Sequence, residues 1–165
     1  MAEIPAVFLQ DENAMVSLGE VLAAHIQRGM LMTLKGDLGA GKTTLCRGLL
    51  RGLGHQAAVK SPTYTIVEPY QLPFGVVYHF DLYRVSDPQE LDYIGFTDYL
   101  DNCALSVVEW PEHGSEYLNK VDVQVVIGHR ENGRTIGLKG CSELGKKFVD
   151  GVVERSFFSG HTTEV

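Results

Sequence analysis

Hydrophobic and polar positions change rhythm repeatedly along this chain, and the changes mark out alternating helices and strands. Ala6 to Leu9 is a short apolar run expected to form an edge strand. Met15, Leu18, Leu22 and Ile26 then recur at helical spacing, behind an N-cap at Asp11 and ahead of a stop at Gly29. Met30-Leu31-Met32-Thr33-Leu34 is a continuous apolar run and reads as a buried strand. Leu45, Leu49 and Leu53 restore the helical period up to Gly54. Ala57 to Pro62 reads as loop. Tyr64-Thr65-Ile66-Val67 and Val76-Val77-Tyr78-His79-Phe80 are rich in β-branched and aromatic residues, and a turn at Leu72-Pro73-Phe74-Gly75 joins them as strands. Pro88 to Leu100 predicts one or two short helices around Gly95, and Leu105-Ser106-Val107-Val108 another buried strand. Val121 to Ile127 and Thr135 to Leu138 flank Glu131-Asn132-Gly133 and predict a hairpin. Ser142 is placed to cap a last helix carrying Leu144, Phe148 and Val152. Residues 1–155 are expected to form one domain, with 156–165 a frayed tail.

One junction in this pattern carries chemistry. Between the strand ending at Leu34 and the helix beginning near Thr44 lies Gly36-Asp37-Leu38-Gly39-Ala40-Gly41-Lys42-Thr43, which matches G-x-x-x-x-G-K-[ST]. Glycines there let backbone N–H groups of residues such as Leu38, Gly39, Ala40 and Gly41 turn toward a phosphate, and the helix N-terminus adds positive field at the same spot. Lys42 would reach the β/γ-phosphates, and the Thr43 hydroxyl would complete a Mg²⁺ shell. The strand-loop-helix setting is what this motif requires, so the chain is expected to bind a nucleotide. The fold expected is α/β: a three-layer P-loop NTPase type with a mixed central sheet and antiparallel edge hairpins.

Composition narrows the partners. The 165 residues carry a net charge of -7, so nonspecific affinity for nucleic acid, which comes from Lys and Arg on phosphates, is not expected of this surface alone. Cys46, Cys103 and Cys141 are far apart, with no C-x-x-C spacing, and suggest neither a disulfide framework nor a zinc site. The N-terminus has neither a basic nor an apolar leader pattern, and no apolar run approaches membrane-spanning length; a cytoplasmic protein is expected.

A P-loop works with a carboxylate at the end of a buried strand, which binds Mg²⁺ directly or through water. Asp81 ends one such strand and Glu109 another. Ser61-Pro62-Thr63 occupies the interval where P-loop switch proteins sense the γ-phosphate, though an ordinary proline turn reads equally well. Trp110, before Pro111, suits either a core position or a functional one. Two GTPase-like patterns fail on context: Asp92-Tyr93-Ile94-Gly95 falls in a helix start, and Asn119-Lys120-Val121-Asp122 opens a strand rather than closing one.

Taken together, Gly36 to Thr44, Lys60-Ser61-Pro62-Thr63-Tyr64-Thr65, His79-Phe80-Asp81-Leu82-Tyr83-Arg84 and Glu109-Trp110-Pro111-Glu112 closely resemble the TsaE (YjeE) family, P-loop ATPases of bacterial tRNA threonylcarbamoyladenosine synthesis. The resemblance covers roughly Asp11 to Gly140. It implies ATP and Mg²⁺ as cofactors, with Lys42 on the phosphates and Thr43 and Glu109 on the metal. It further implies Asp81 as a carboxylate beside the metal that positions water, Ser61 and Thr63 as a switch-like loop, and Trp110 as a ring shaping the nucleotide site. The implied partners are TsaB and TsaD, with tRNA engaged only through them, and a monomer or weak dimer alone. Arg47 and Arg84 are the basic residues nearest the motifs, and each fits either an arginine finger or a structural ion pair. A small-molecule P-loop kinase and a nucleotide-gated binding module are the alternatives. The kinase requires a basic lid within 84–102, where Arg84 is the only basic residue. Removing the loop cation in Lys42→Ala is expected to abolish productive nucleotide binding, read as loss of ATP affinity by calorimetry.

Overall fold

The chain divides its apolar residues between the two faces of one sheet. The computed structural model describes residues 4–155; the tail expected at 156–165 lies outside the described residues. Strands β1 (Ala6–Leu9), β2 (Met30–Lys35), β3 (Val67–Leu72), β4 (Gly75–Asp81), β5 (Leu105–Glu109), β6 (Val123–Arg130) and β7 (Gly133–Gly140) form a seven-stranded sheet in the order β1-β7-β6-β2-β5-β4-β3. The centre is parallel, β2 lying between β5 and β6 and β4 beside β5. Both margins are antiparallel, through β1–β7, β6–β7 and β3–β4. This is the mixed sheet with edge hairpins that the pattern predicted.

Period-2 alternation assigns the layers. Met30, Met32 and Leu34 of β2, Leu105 and Val107 of β5 and Val77 of β4 point to one core, shared with α1 (Glu12–Ala23), α2 (Lys42–Gly52) and α5 (Glu143–Arg155). Leu31, Phe80 and Val108 point the other way, to a smaller core with Leu91 and Phe96 of α3 (Glu90–Ile94) and α4 (Phe96–Asp101). Asp11 caps α1, its Oδ1 accepting from Ala14 N at 2.8 Å. Ser142 caps α5 by accepting from Gly145 N at 3.0 Å. Pro69 is tolerated because β3 is an edge strand.

Two local expectations need correction, and one element was not expected. Helix α1 stops at Ala23, and Ile26 reaches the core from the turn that follows. The strand expected at Tyr64–Val67 begins only at Val67. Ile66 sits at φ 69 and donates its N–H to Pro62 O at 2.7 Å, so a turn overrides the β-branched propensity of Thr65 and Ile66. The polar stretch after Glu109, for which the pattern predicted no element, holds 3-10 turns over Pro111–Tyr117, broken at Gly114 (φ -142) and started by a proline whose fixed φ suits a first helical turn.

The crossing of α1 and α2 sets where α2 begins. A methyl group on Gly19 would lie 2.5 Å from Leu45 O, and one on Gly48 would overlap the Val16 carbonyl. The two helices thus touch backbone to backbone. Alanine inside a helix ordinarily gains about 1 kcal/mol over glycine. Gly48→Ala is nevertheless expected to destabilise by about 3 kcal/mol through overpacking, a fall in melting temperature of about 6–12 °C by calorimetry.

Candidate functional site

Strand β2 ends at Lys35, the chain turns through residues 36–41, and α2 starts on Lys42 itself. The turn uses left-handed backbone at Gly39 (φ 76) and Gly41 (φ 108). Gly41 also packs closely, since a Cβ there would lie 3.0 Å from Met15 Cε. The unpaired N–H groups of the first helical turn therefore face the concave side of the loop.

Across from the loop, the parallel pairing of β4 and β5 puts Asp81 opposite Glu109 in register. Alternation carries His79 and Asp81 to the same face as Val77, and Glu109 to the same face as Val107. That face is the one covered by α2. Glu109 is 3% exposed and its Oε1 accepts from two elements: Thr43 Oγ1 of α2 at 3.0 Å and His79 Nε2 of β4 at 2.8 Å. Asp81 accepts Tyr83 N at 2.9 Å on Oδ1 and Thr63 Oγ1 at 3.0 Å on Oδ2, and Thr63 Oγ1 is 2.7 Å from Ser61 Oγ. The loop at 61–63 is thereby tied to the end of β4.

Lys42 donates to Gly36 O at 2.7 Å and Asp37 O at 2.8 Å, and its Nζ lies 4.3 Å from the centre of the Trp110 ring. Trp110 stands in left-handed backbone (φ 55) immediately before Pro111, and its ring leans on Tyr83 with centroids 4.9 Å apart. Non-glycine residues at positive φ store strain, and two of the three in the described chain, Ile66 and Trp110, flank this site. Burial is the main influence on Lys42 and lowers its pKa against the upward pull of Glu109 and Asp81. Burial raises the Asp81 pKa, opposed by the hydrogen bond from Tyr83 N and reinforced by the Glu109 charge. For His79 burial alone would lower the pKa, but the Cys46 sulfur and the Glu109 carboxylate outweigh it and hold the imidazole above its ordinary value.

Leu38, Gly39, Gly41, Lys42, Thr43, Thr44, Ser61, Thr63, Asp81, Glu109 and Trp110, all singled out in the sequence, line one cleft of about 340 Å³. Asp37 contributes its carbonyl to Lys42, and Ala40 turns to the other side of the loop. There a second cleft of about 620 Å³ is bounded by Gln10, Asp11, Arg130, Asn132 and Arg134. Arg134 braces the loop from this side, donating through Nε to Ala40 O at 3.1 Å. Sequence reasoning missed this second cleft, because the β2–β6 and β6–β7 pairings bring Arg134 to the loop and the β1–β7 pairing sets Leu9 beside it. His79 was within reach of it: the alternation that exposes Asp81 to the site places His79 two residues behind on the same face. Arg47 is engaged by Glu12 at 3.1 Å, and Arg84 stacks 4.0 Å over the Tyr64 ring. The two GTPase-like patterns are structural. Asp92 belongs to α3, and Asp122 accepts Leu31 N at 2.9 Å and Ser142 Oγ at 2.6 Å.

Known proteins resemble this chain. A family model described as "Threonylcarbamoyl adenosine biosynthesis protein TsaE" matches residues 9–136. The chain belongs to the TsaE family. The matched span takes in both clefts and leaves out α5. The tRNA threonylcarbamoyladenosine biosynthesis protein TsaE of Haemophilus influenzae is 42% identical over 147 residues, covering 86% of this chain and 93% of that protein. The protein of the same name from Bacillus subtilis is 38% identical over 111 residues, 67% of this chain and 69% of that one. The crystal structure of Bacillus subtilis YdiB superimposes with a TM-score of 0.79 at 26% identity, over 93% of this chain and 97% of that one. Among the described residues no helix is long and apolar enough to cross a membrane.

Because the folded-state pKa of Asp81 is raised, its ionised form is less favourable in the folded than in the unfolded chain. The resulting loss of stability is absent below the ordinary aspartate value of 3.8 and complete once pH exceeds the raised one. At pH 7, without nucleotide, Asp81→Asn is therefore expected to raise the melting temperature, and the gain should vanish near pH 3.

Proposed function

We propose that this chain is an ATP-binding and ATP-hydrolysing subunit required for threonylcarbamoyladenosine (t6A37) modification of tRNA, acting with TsaB and TsaD. The observation that carries the catalytic part is the Thr43–Glu109 contact beside the P-loop. Mg²⁺ holds octahedral oxygen ligands at about 2.1 Å, so adjacent ligands stand about 3.0 Å apart. Thr43 Oγ1 and Glu109 Oε1 are already at that separation, 3.0 Å. Among the described residues no group of three or more His, Cys, Asp and Glu can cage a metal, which suits a cation that shares its shell with phosphates and water. Thr43 and Glu109 would hold it, with Asp81 beside them. Bound there, Mg²⁺ would neutralise charge on the phosphates.

The chain's own residues supply the rest. The loop N–H groups and Lys42 hold the phosphates, and the base and ribose extend past Gly39 into the cleft bounded by Asp11 and Arg134. Asp81 orients a water for in-line attack on the γ-phosphate, while Ser61 and Thr63, tied to Asp81, register whether that phosphate is present. Burial of Lys42, Asp81 and Glu109 strengthens the interactions these three groups make. The kinase alternative loses its lid, because the segment it needs is packed down: Leu91 and Phe96 are 0% and 1% exposed in the second core. Family membership and the names of the relatives support the tRNA-modification role, and the acidic surface supports tRNA contact through partners rather than directly.

ATP and GTP hydrolysis measured with and without a TsaB–TsaD complex tests the reading. Slow ATP turnover alone, acceleration by the complex and weak activity on GTP are expected; fast turnover indifferent to the complex would falsify it. Glu109→Ala is expected to keep nucleotide affinity within a few-fold while hydrolysis falls by about 100-fold or more. Equal losses in both would remove Glu109 from its role.

A further inference from the structure

We propose that His79 is a positioning residue that clamps the Glu109 carboxylate, through Nε2–H to Oε1, in the orientation in which it receives a divalent cation. This rests on the reading that Glu109 is a metal ligand, and assigns the residue that makes it a rigid one. His79 is 0% exposed, and apart from Asp81 and Glu109 its neighbours on that face, Val77, Val107 and Cys46, are apolar. Packing alone would be better served there by Phe or Leu, since a buried polar group is unfavourable unless hydrogen-bonded. The imidazole satisfies one nitrogen only. Nε2 lies 2.8 Å from Glu109 Oε1, while Nδ1 is buried without a hydrogen bond of good geometry beside the Cys46 sulfur. The position thus keeps a polar ring whose single good interaction is with the carboxylate.

That interaction is directional. A carboxylate only accepts, so Nε2 carries the proton whether the ring is neutral or charged, and the clamp does not depend on its titration. Glutamate has three side-chain torsions, and without a donor its carboxylate is free to swing. Two donors on the same oxygen, from β4 and α2, fix both its place and its plane. When Thr43 turns its oxygen to a cation, His79 is the donor that remains. Outer partners of this kind change metal affinity by about 10–100-fold when removed.

Mn²⁺ binding to the ADP-saturated protein, followed by the electron paramagnetic resonance of free Mn²⁺, tests the clamp. His79→Phe keeps the ring and loses the N–H; His79→Gln loses the ring and keeps an N–H. The first is expected to weaken Mn²⁺ binding by about tenfold or more, the second by much less, with ADP affinity in EDTA unchanged in both. Should His79→Phe not fold, His79→Leu makes the same comparison. Wild-type Mn²⁺ affinity in the variant lacking the N–H overturns the proposal, and so do equal losses in both variants, the mark of packing alone. Glu109→Gln separates the two levels: if it binds Mn²⁺ normally, Glu109 is not a ligand and the underlying reading fails. If it loses Mn²⁺ while His79→Phe does not, only the clamp fails.

Discussion

One buried oxygen, Oε1 of Glu109, holds the working end of this protein together. It accepts from α2 and from β4 while belonging to β5, so three elements that arrive from different parts of the chain meet at a single acceptor. A polar group this deep is tolerated only when it is hydrogen-bonded. The β4–β5 register, the start of α2 at Lys42 and the backbone-to-backbone crossing of α1 and α2 all serve to bring those donors within reach.

Much of this was legible in the chain, for physical reasons that differ between elements. The strands β2 and β5 announce themselves because a strand buried on both faces must be apolar throughout. The P-loop announces itself because only glycine takes up its left-handed turns cheaply. Asp81 and Glu109 were identifiable as the first charged residues after such strands. What the pattern hid was whatever tertiary contact decides. Thr65 and Ile66 have strong strand propensity, yet the hydrogen bond from Ile66 to Pro62 bends them into the turn that presents Thr63 to Asp81. Arg134 has no local signal at all, since its meaning depends on how β7 is set against β6 and β6 against the strand that leads into the loop. Gly48 reads as an ordinary weak point in a helix until Val16 is placed against it.

The two faces of the sheet also divide the labour. Residues pointing toward α2 carry the charged groups at their C-terminal ends, and the apolar rows behind them supply the rigidity. Residues pointing the other way build an aromatic core around Phe80, Phe96 and Tyr99, with Phe80 and Phe96 4.8 Å apart at near right angles. Trp110 is where the two meet, one residue beyond Glu109 and turned by its left-handed backbone over Lys42.

That placement of Lys42 has a consequence for how tightly a phosphate is held. The ammonium already has two carbonyl acceptors and an aromatic face, so an arriving anion must exchange bonds with the loop rather than supply the first ones. Much of the attraction between the charges is therefore offset, and the same groups stand ready to take the lysine back. The loop would then be a cradle already occupied by its own lysine, one that a phosphate could fill only by trading hydrogen bonds.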